Sequence, residues 1–163
     1  MKTLGFAGFS GAGKTTLIEG LLPRLAAAGL TVSVVKQSHH DFEVDKPGKD
    51  SWRHRRAGAR EVLLTSPHRW MLVHELDGAP EPDLAAHLAR LSPCDLVLVE
   101  GFRHAAHAKI EVWRAANGKA WLHPADPHVL AVAADGPPPG RLPHFPLDDL
   151  DGLAAFILDW LKS

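Results

Sequence analysis

The sequence Gly8-Phe9-Ser10-Gly11-Ala12-Gly13-Lys14-Thr15, followed by Thr16, matches the phosphate-binding pattern G-x-x-x-x-G-K-[ST] at every fixed position. Its glycines permit backbone angles that a side chain would prevent, so successive N–H groups can surround a phosphate. In this pattern the lysine reaches the β- and γ-phosphates and the threonine hydroxyl binds Mg²⁺. We therefore predict nucleotide binding, with a catalytic role for the lysine, by the following residues: Gly8, Ser10, Gly11, Ala12, Gly13, Lys14, Thr15 and Thr16.

The sequence on both sides of this loop favours a phosphate site over a simple glycine-rich turn. Residues 4–7 are a short apolar run that predicts a buried strand leading into the loop. Apolar residues then recur at helical spacing over 14–28, although Pro23 removes one backbone hydrogen bond from that helix. A second β-rich run at 30–36 completes a strand, helix and strand, which predicts a right-handed crossover and a parallel sheet.

The rest of the chain continues the alternation of strands and helices. Residues 61–65 and 70–74 predict a hairpin, and residues 95–101 predict a strand that is buried on both faces. We predict an α/β protein with the three-layer P-loop NTPase fold, a mostly parallel central sheet and an antiparallel hairpin extension, built as a single domain over residues 1–163. The remaining predicted elements are strands at 109–114 and 129–133 and helices at 50–57, after 80–83 and from about 147.

The overall composition excludes several classes of protein. The net charge is −1, so no general attraction to nucleic acid or to an acidic membrane is expected. The single cysteine, Cys94, excludes an intrachain disulfide and a multi-cysteine metal site. No apolar run is long enough to cross a bilayer, and the first strand begins too early to leave room for a signal peptide. We expect a cytoplasmic protein.

Two carboxylates are predicted to bind the metal ion. Glu100 ends the buried strand, at the position where nucleotide-binding folds place an acid that holds Mg²⁺. Asp41 lies in the long polar loop after the second strand, which also opens toward the phosphates, and it is a candidate for catalysis as well. The neighbouring His39 and His40 are weaker candidates, because adjacent histidines on a loop are usually solvated.

The segment 46–60 is the most basic part of the chain. It contains six basic residues and one acid, Asp50, a local net charge of +5. Such a run is consistent with a solvated helix face or with a site for a second anion, because Arg and Lys clusters bind phosphates. Nucleic acid is disfavoured, because the run is short and Trp52 is its only aromatic residue. The basic residues are Lys46, Lys49, Arg53, Arg55, Arg56 and Arg60.

Asp135 is a candidate for contacting the base. It ends the last predicted strand, where many guanine-specific proteins place an aspartate that pairs with the base. The Asn-Lys-x-Asp signature of those proteins is absent, since the local sequence is Ala133-Ala134-Asp135. The choice between GTP and ATP therefore stays open at this point.

Several motifs together resemble the molybdopterin-guanine dinucleotide biosynthesis adaptor protein B family. They are the phosphate loop, the run from His39 to Ser51, Arg56-Ala57-Gly58-Ala59, Leu98-Val99-Glu100-Gly101-Phe102 and Lys109-Ile110-Glu111-Val112. The resemblance covers residues 4 to about 135 and implies a dimeric P-loop protein that binds GTP and hydrolyses it weakly. It also implies an accessory role to the guanylyltransferase that joins GMP to molybdopterin. On charge, we expect the basic run from Lys46 to Arg60, with Lys46, Lys49 and Arg53 as candidate ligands, to meet the phosphate of molybdopterin or an acidic surface of that partner.

Two other functions are compatible with the same loop. A small-molecule kinase using ATP needs an acceptor pocket and a base near the γ-phosphate, and Asp41 is available as that base. A metallochaperone GTPase needs a convergent set of His, Cys or acidic ligands, for which only His39-His40-Asp41 is offered by the sequence. Hydrolysis should be slow, because no arginine finger is evident unless an arginine from 53–56 acts across a dimer.

Overall fold

Eight strands and four helices follow one another along the chain in the computed structural model, which describes residues 1–38 and 40–163. They form two compact units, one made of residues 1–37 and 84–163 and the other of residues 38–83. The expectation of a single domain over 1–163 stays a prediction. In chain order the elements are β1 (Lys2–Ala7), α1 (Lys14–Ala27), β2 (Val32–Lys36), α2 (Asp50–Arg56), β3 (Glu61–Thr65), β4 (Trp70–His74), α3 (Leu84–Leu88), β5 (Leu96–Glu100), β6 (Lys109–Trp113), β7 (Val129–Ala134), β8 (His144–Phe145) and α4 (Leu150–Lys162).

A six-stranded parallel sheet forms the centre of the first unit. Its strand order is β2-β5-β1-β6-β7-β8, so β1 lies between β5 and β6. Leu4 of β1 stands opposite Leu98 of β5, and Phe6 stands opposite Ile110 of β6. Because neighbouring strands run in the same direction, the segments that follow β1, β5 and β6 leave the sheet at one edge.

Helices cover both faces of this sheet. On one face α1 and α4 pack against the strands, with Leu21, Leu25 and Ile157 fully buried. On the other face Leu84 of α3 packs against Val97 and Val99. Each fully buried leucine or isoleucine contributes about 1.5–3 kcal/mol by removal from water. The predicted three-layer α/β fold is confirmed.

The second unit contains α2 and the antiparallel hairpin of β3 and β4. The hairpin that the two sequence runs predicted is present, and its register pairs Leu63 with Leu72 and Thr65 with Trp70. Arg55 of α2 is bound by the Asp45 carboxylate, whose two oxygens accept from it at 2.6 and 3.0 Å. Arg55 also donates to Glu75 Oε1 at 2.5 Å. This ion-paired arginine ties α2 to the segments before and after it.

The structure differs from the sequence expectations at element ends. The two-residue strand β8 was not predicted, because two residues carry no periodicity. Helix α3 is short, and hydrogen bonds of turns continue from Ala89 to Leu91. Helix α4 begins at Leu150 instead of about 147, with the Asp149 carboxylate accepting from the Gly152 N–H at 2.9 Å. No helix in the described ranges has both the length and the apolar character needed to span a bilayer.

Candidate functional site

The loop from Gly8 to Gly13 joins β1 to α1 at the carboxyl edge of the sheet. The segments that follow β5 and β6 emerge on either side of it, because these strands flank β1. In open α/β sheets, ligands bind at this edge, where the strand order changes direction. The predicted phosphate loop therefore occupies the position that the fold makes available for a ligand.

Two glycines of the loop stand where another residue would not fit. At Gly8 a Cβ atom would lie 2.3 Å from the Val112 carbonyl oxygen of the neighbouring strand. Gly13 has a φ of 98° and precedes the first turn of α1, which begins at Lys14. A side chain at Gly8 would push β1 and β6 apart, and one at Gly13 would be strained. The loop thus depends on the glycines that the pattern requires.

Lys14 is a half-buried cation at this edge. Its Nζ donates to the carbonyl oxygens of Gly8 and Phe9 at 2.9 and 3.0 Å. It forms no ion pair with any carboxylate in residues 1–38 and 40–163. Burial lowers the pKa of the Lys14 ammonium, and the charge of Glu100 acts against that shift. The charges of Lys36 and Arg103 lower this pKa further, so an anion bound here would be strongly favoured.

Thr15 and Glu100 are brought together beside the loop. The Thr15 hydroxyl donates to both oxygens of the Glu100 carboxylate, at 3.0 and 3.1 Å. Glu100 is buried at the end of β5 and also forms an ion pair with Lys36 at the end of β2. A hydroxyl and a carboxylate side by side supply the oxygen ligands that Mg²⁺ prefers. The residues fit a divalent cation at this point.

The remaining loop residues take different positions. Ala12 is buried, whereas Ser10, Gly11 and Thr16 are exposed. The Asn117 side chain donates to the Ser10 carbonyl oxygen at 3.2 Å. The segment after β6 is therefore hydrogen-bonded to the phosphate loop. The sequence did not indicate this contact.

Asp135 has a structural partner. Its Oδ1 accepts from the Ala115 N–H at 2.7 Å, and the side chain is exposed at the end of β7. This bond fixes the 3₁₀ turn of residues 115–117, which also contains Asn117. A role for Asp135 in base recognition stays a prediction.

The other predicted residues belong to the second unit, residues 38–83. Asp41 is exposed and its Oδ1 accepts from the Phe42 N–H at 3.0 Å. Lys46, Lys49 and Arg53 are exposed, and none of them forms an ion pair within the described part of the chain. His39, named as a weaker ligand candidate, lies outside the described residues. The roles assigned to these residues stay predictions.

The basic segment is less uniform than its composition indicates. Arg55 is occupied by Asp45 and Glu75, and Arg56 pairs with Glu43 at 3.3 Å while lying over the Trp52 ring. The hydrogen bond from Arg55 lowers the pKa of the Asp45 carboxyl, against the effect of burial. Arg55 is therefore a structural residue and not a free anion ligand.

Two arginines beside the loop were missed by the sequence analysis. Arg103 follows β5, and its guanidinium carbon lies 5.7 Å from the centre of the Phe9 ring. Arg114 follows β6, and its Nη2 would lie 3.3 Å from a Cβ atom at Gly13. The available signal was their position, because Arg114 directly follows β6 and Arg103 comes three residues after the end of β5, and both strands flank β1. Within the described residues, no three His, Cys, Asp or Glu side chains are grouped so as to hold a metal ion.

A parallel sheet with a lysine-bearing glycine loop at its carboxyl edge defines the class of P-loop nucleotide-binding folds. Within that class, residues 3–135 match the model of the family described as molybdopterin guanine dinucleotide synthesis protein B, also called MobB. The chain belongs to this family. The resemblance inferred from its motifs is thereby confirmed.

Relatives and a solved structure agree with that assignment. The chain is 42% identical to the molybdopterin-guanine dinucleotide biosynthesis adapter protein of Escherichia coli, over 98% of this chain and 93% of the relative. It is 41% identical to the protein of the same name from Haemophilus influenzae, over 97% of this chain and 88% of the relative. A crystal structure titled molybdopterin-guanine biosynthesis protein B superposes with a TM-score of 0.76 at 30% identity, covering 97% of this chain and 99% of that one.

Proposed function

We propose that this chain is a GTP-binding accessory protein that assists the attachment of GMP to molybdopterin, which forms molybdopterin guanine dinucleotide. Membership of the MobB family and the adapter names of its relatives support this role. The proposal includes a cytoplasmic location, a guanylyltransferase as the partner and molybdopterin as the molecule on which that partner acts.

Nucleotide binding rests on one observation, the state of Lys14. Within the described residues this half-buried ammonium donates only to backbone carbonyls, while Glu100, whose charge acts on it, is engaged by Thr15 and Lys36. A buried cation without a carboxylate partner is costly until an anion meets it. The β- and γ-phosphates of a nucleoside triphosphate are the anions that this loop pattern binds.

Magnesium would be held by Thr15 and Glu100, which already lie within 3.1 Å of each other. Asp41 is the third proposed ligand and the proposed base. When bound, Mg²⁺ neutralises charge on the phosphate oxygens. The chain's own residues position the phosphates, and Lys14 supplies further positive charge. We expect turnover to be slow, as in P-loop proteins that hydrolyse GTP unaided.

Three exposed cations of the second unit are the proposed contact for molybdopterin or for the acidic surface of the partner. We assign this contact to Lys46, Lys49 and Arg53, which form no ion pair within the described part of the chain. An exposed lysine or arginine that has no carboxylate partner binds phosphate without the cost of breaking an ion pair. Arg55 and Arg56 are excluded from this group because carboxylates occupy them.

A homodimer is also part of the proposal, and the hairpin supports it. Leu63, Trp70 and Leu72 share one face of the β3–β4 ribbon and are 61%, 66% and 48% exposed. Large apolar side chains grouped on one exposed face are typical of protein contacts. We propose that this face meets the same face of a second copy, because a two-fold axis makes one apolar patch complementary to itself.

The dimer is tested by light scattering after size-exclusion chromatography. Leu72→Glu should convert a dimer to a monomer, while Arg69→Ala in the hairpin turn should leave the mass unchanged. A dimer that persists in Leu72→Glu would place the contact elsewhere, and a monomeric wild type would remove the dimer from the proposal.

The accessory role is tested by reconstituting dinucleotide synthesis from GTP and molybdopterin with the guanylyltransferase. The wild-type chain should increase the yield of molybdopterin guanine dinucleotide, whereas Lys14→Ala should not. Lys119→Ala removes a nearby exposed cation and is expected to behave as the wild type. Failure of the wild type both to stimulate synthesis and to bind the guanylyltransferase would contradict the proposed role.

A further inference from the structure

A second cation lies on the Glu100 side of the phosphate loop. Arg103 comes three residues after Glu100, and its guanidinium carbon lies 5.7 Å from the centre of the Phe9 ring. Phe9 is the second residue of the loop, and its carbonyl oxygen accepts from Lys14 Nζ. Cations are attracted to the face of an aromatic ring at this separation. The Phe9 ring thus positions an arginine beside the phosphate loop.

The backbone that bears Arg103 is held in place. The Phe102 N–H donates to Gln37 Oε1 at 2.7 Å, and the Ala105 N–H donates to the Phe102 carbonyl oxygen at 2.9 Å. The Arg103 side chain donates through Nε to His104 Nε2 at 2.9 Å. Its Nη groups have no protein partner among residues 1–38 and 40–163, so the end of the guanidinium is available to a ligand.

The charge of Arg103 acts where the phosphates are expected. The ring that Arg103 contacts belongs to Phe9, whose carbonyl oxygen accepts from Lys14 Nζ, so both cations border the same loop residue. Arg114 lies on the other side of the loop, near Gly13. Lys14 in this loop pattern reaches the β- and γ-phosphates, and Glu100 lies on the side of the metal ion that bridges them. Arg103 therefore shares the region of the terminal phosphate.

We propose that Arg103 contacts the terminal phosphate of the bound nucleoside triphosphate from within the same chain. The inference rests on the proposed nucleotide binding and deepens it, since it assigns a residue that distinguishes a triphosphate from a diphosphate. A guanidinium forms two parallel hydrogen bonds to a phosphate, which suits a terminal group with three free oxygens. An arginine supplied by a partner chain from residues 53–56 is then unnecessary for binding this group.

The test compares triphosphate and diphosphate affinities by calorimetry, using a non-hydrolysable GTP analogue and GDP, each with Mg²⁺. Arg103→Ala should weaken binding of the GTP analogue by roughly tenfold, as expected for a charged hydrogen bond at an exposed site. Its affinity for GDP should stay within about twofold of the wild type. Arg103→Lys should recover part of the loss, because a lysine keeps the charge but not the planar pair of donors.

Lys119→Ala is the matched control. Its Nζ lies 5.9 Å from the same Phe9 ring, but Lys119 belongs to the segment after β6, whereas Arg103 belongs to the segment after β5, which ends at Glu100. This variant should bind both nucleotides as the wild type does. Equal losses of GTP analogue and GDP in Arg103→Ala would show that Arg103 only supports the loop, and unchanged affinities would show that it contacts no phosphate; either result overturns the inference.

The control Lys14→Ala separates this inference from the proposed function. Loss of both nucleotides in Lys14→Ala, with equal losses in Arg103→Ala, would leave nucleotide binding intact and reject the role of Arg103. Absence of binding in the wild type would reject nucleotide binding and, with it, the role of Arg103. Thermal melting of each variant checks that the chain is folded.

Discussion

The two units of the molecule use their cations in opposite ways. In the first unit, Lys14 is half buried and donates to two backbone carbonyls. In the second unit, Arg55 is bound by both oxygens of Asp45 and by Glu75. The basic segment 46–60 dominates the charge pattern of the sequence, yet its most buried arginine is already neutralised. The number of charges in a segment is therefore a weaker guide to a site than the partners of each charge.

The same contrast applies to the acids. Glu100 is shared between the Thr15 hydroxyl and the Lys36 ammonium, and a bound metal ion could replace either group as a partner of the carboxylate. Asp45 is committed to the Arg55 guanidinium, in a geometry with two hydrogen bonds. A pair of this kind stabilises a local fold, whereas the arrangement around Glu100 is open to exchange with a ligand.

Removal of the Lys14 ammonium should have the largest effect on function. Lys14→Ala should reduce affinity for Mg²⁺-bound triphosphate by about 100-fold, because it removes charged hydrogen bonds at a partly buried site. The loss is measured by calorimetric titration. An equal loss of affinity in Arg53→Ala, in the basic segment, would contradict the assignment of the nucleotide site to the first unit.

Removal of Arg55 should affect stability instead. Arg55→Ala leaves the buried Asp45 carboxylate without its cationic partner, so amides of residues 38–83 should exchange faster with deuterated solvent. Arg53→Ala removes an exposed arginine from the same helix and should not change exchange. Equal amide exchange rates in Arg55→Ala and Arg53→Ala would show that the Arg55 ion pair does not stabilise the second unit.

A smaller effect is expected from His107 in the first unit. Its two ring nitrogens are buried without a hydrogen-bond partner in the described ranges, and burial, followed by the charge of Lys109, lowers its pKa from the ordinary 6.5. Below about pH 6.5, His107 is therefore protonated in the unfolded chain but stays neutral in the folded chain. The free energy of unfolding should decrease as the pH falls below that value, and this histidine should not affect it at higher pH.

His107→Gln should reduce this acid sensitivity. Between pH 7.5 and 5.5 its Tm should fall less than that of the wild type, by an amount on the order of a few degrees. The exposed His68→Gln is the control and should follow the wild type. A parallel fall in all three proteins would assign the acid sensitivity to other groups.

The sequence predicted the fold well because its core strands and main helices are long enough to show a period. The run at 95–101 became the fully buried strand β5, and the glycine loop stands between β1 and α1. The pairing of Thr15 with Glu100 was also within reach, because both residues follow from the loop pattern and the carboxyl ends of parallel strands. The two-residue strand β8 was out of reach.

The rest of the site depends on contacts that no local pattern encodes. Asn117 and Ser10 are separated by more than one hundred positions, and their hydrogen bond exists only because β6 lies next to β1. Arg103 and Arg114 have no motif of their own, and strand order alone brings them to the loop. The pairing of Arg55 with Asp45 and Glu75 likewise depends on how residues 38–83 fold, so charge counting overestimated the free cations.

The central claim is that the loop of the first unit binds GTP, and a direct competition measures it. The wild-type chain is titrated with Mg²⁺-GTP and with Mg²⁺-ATP, and Lys14→Ala is titrated with both. The account predicts tighter binding of GTP that is lost in Lys14→Ala. Tighter binding of ATP, with phosphoryl transfer to a second substrate, would contradict the GTP assignment and favour a small-molecule kinase; unchanged binding in Lys14→Ala would contradict the assignment of the site.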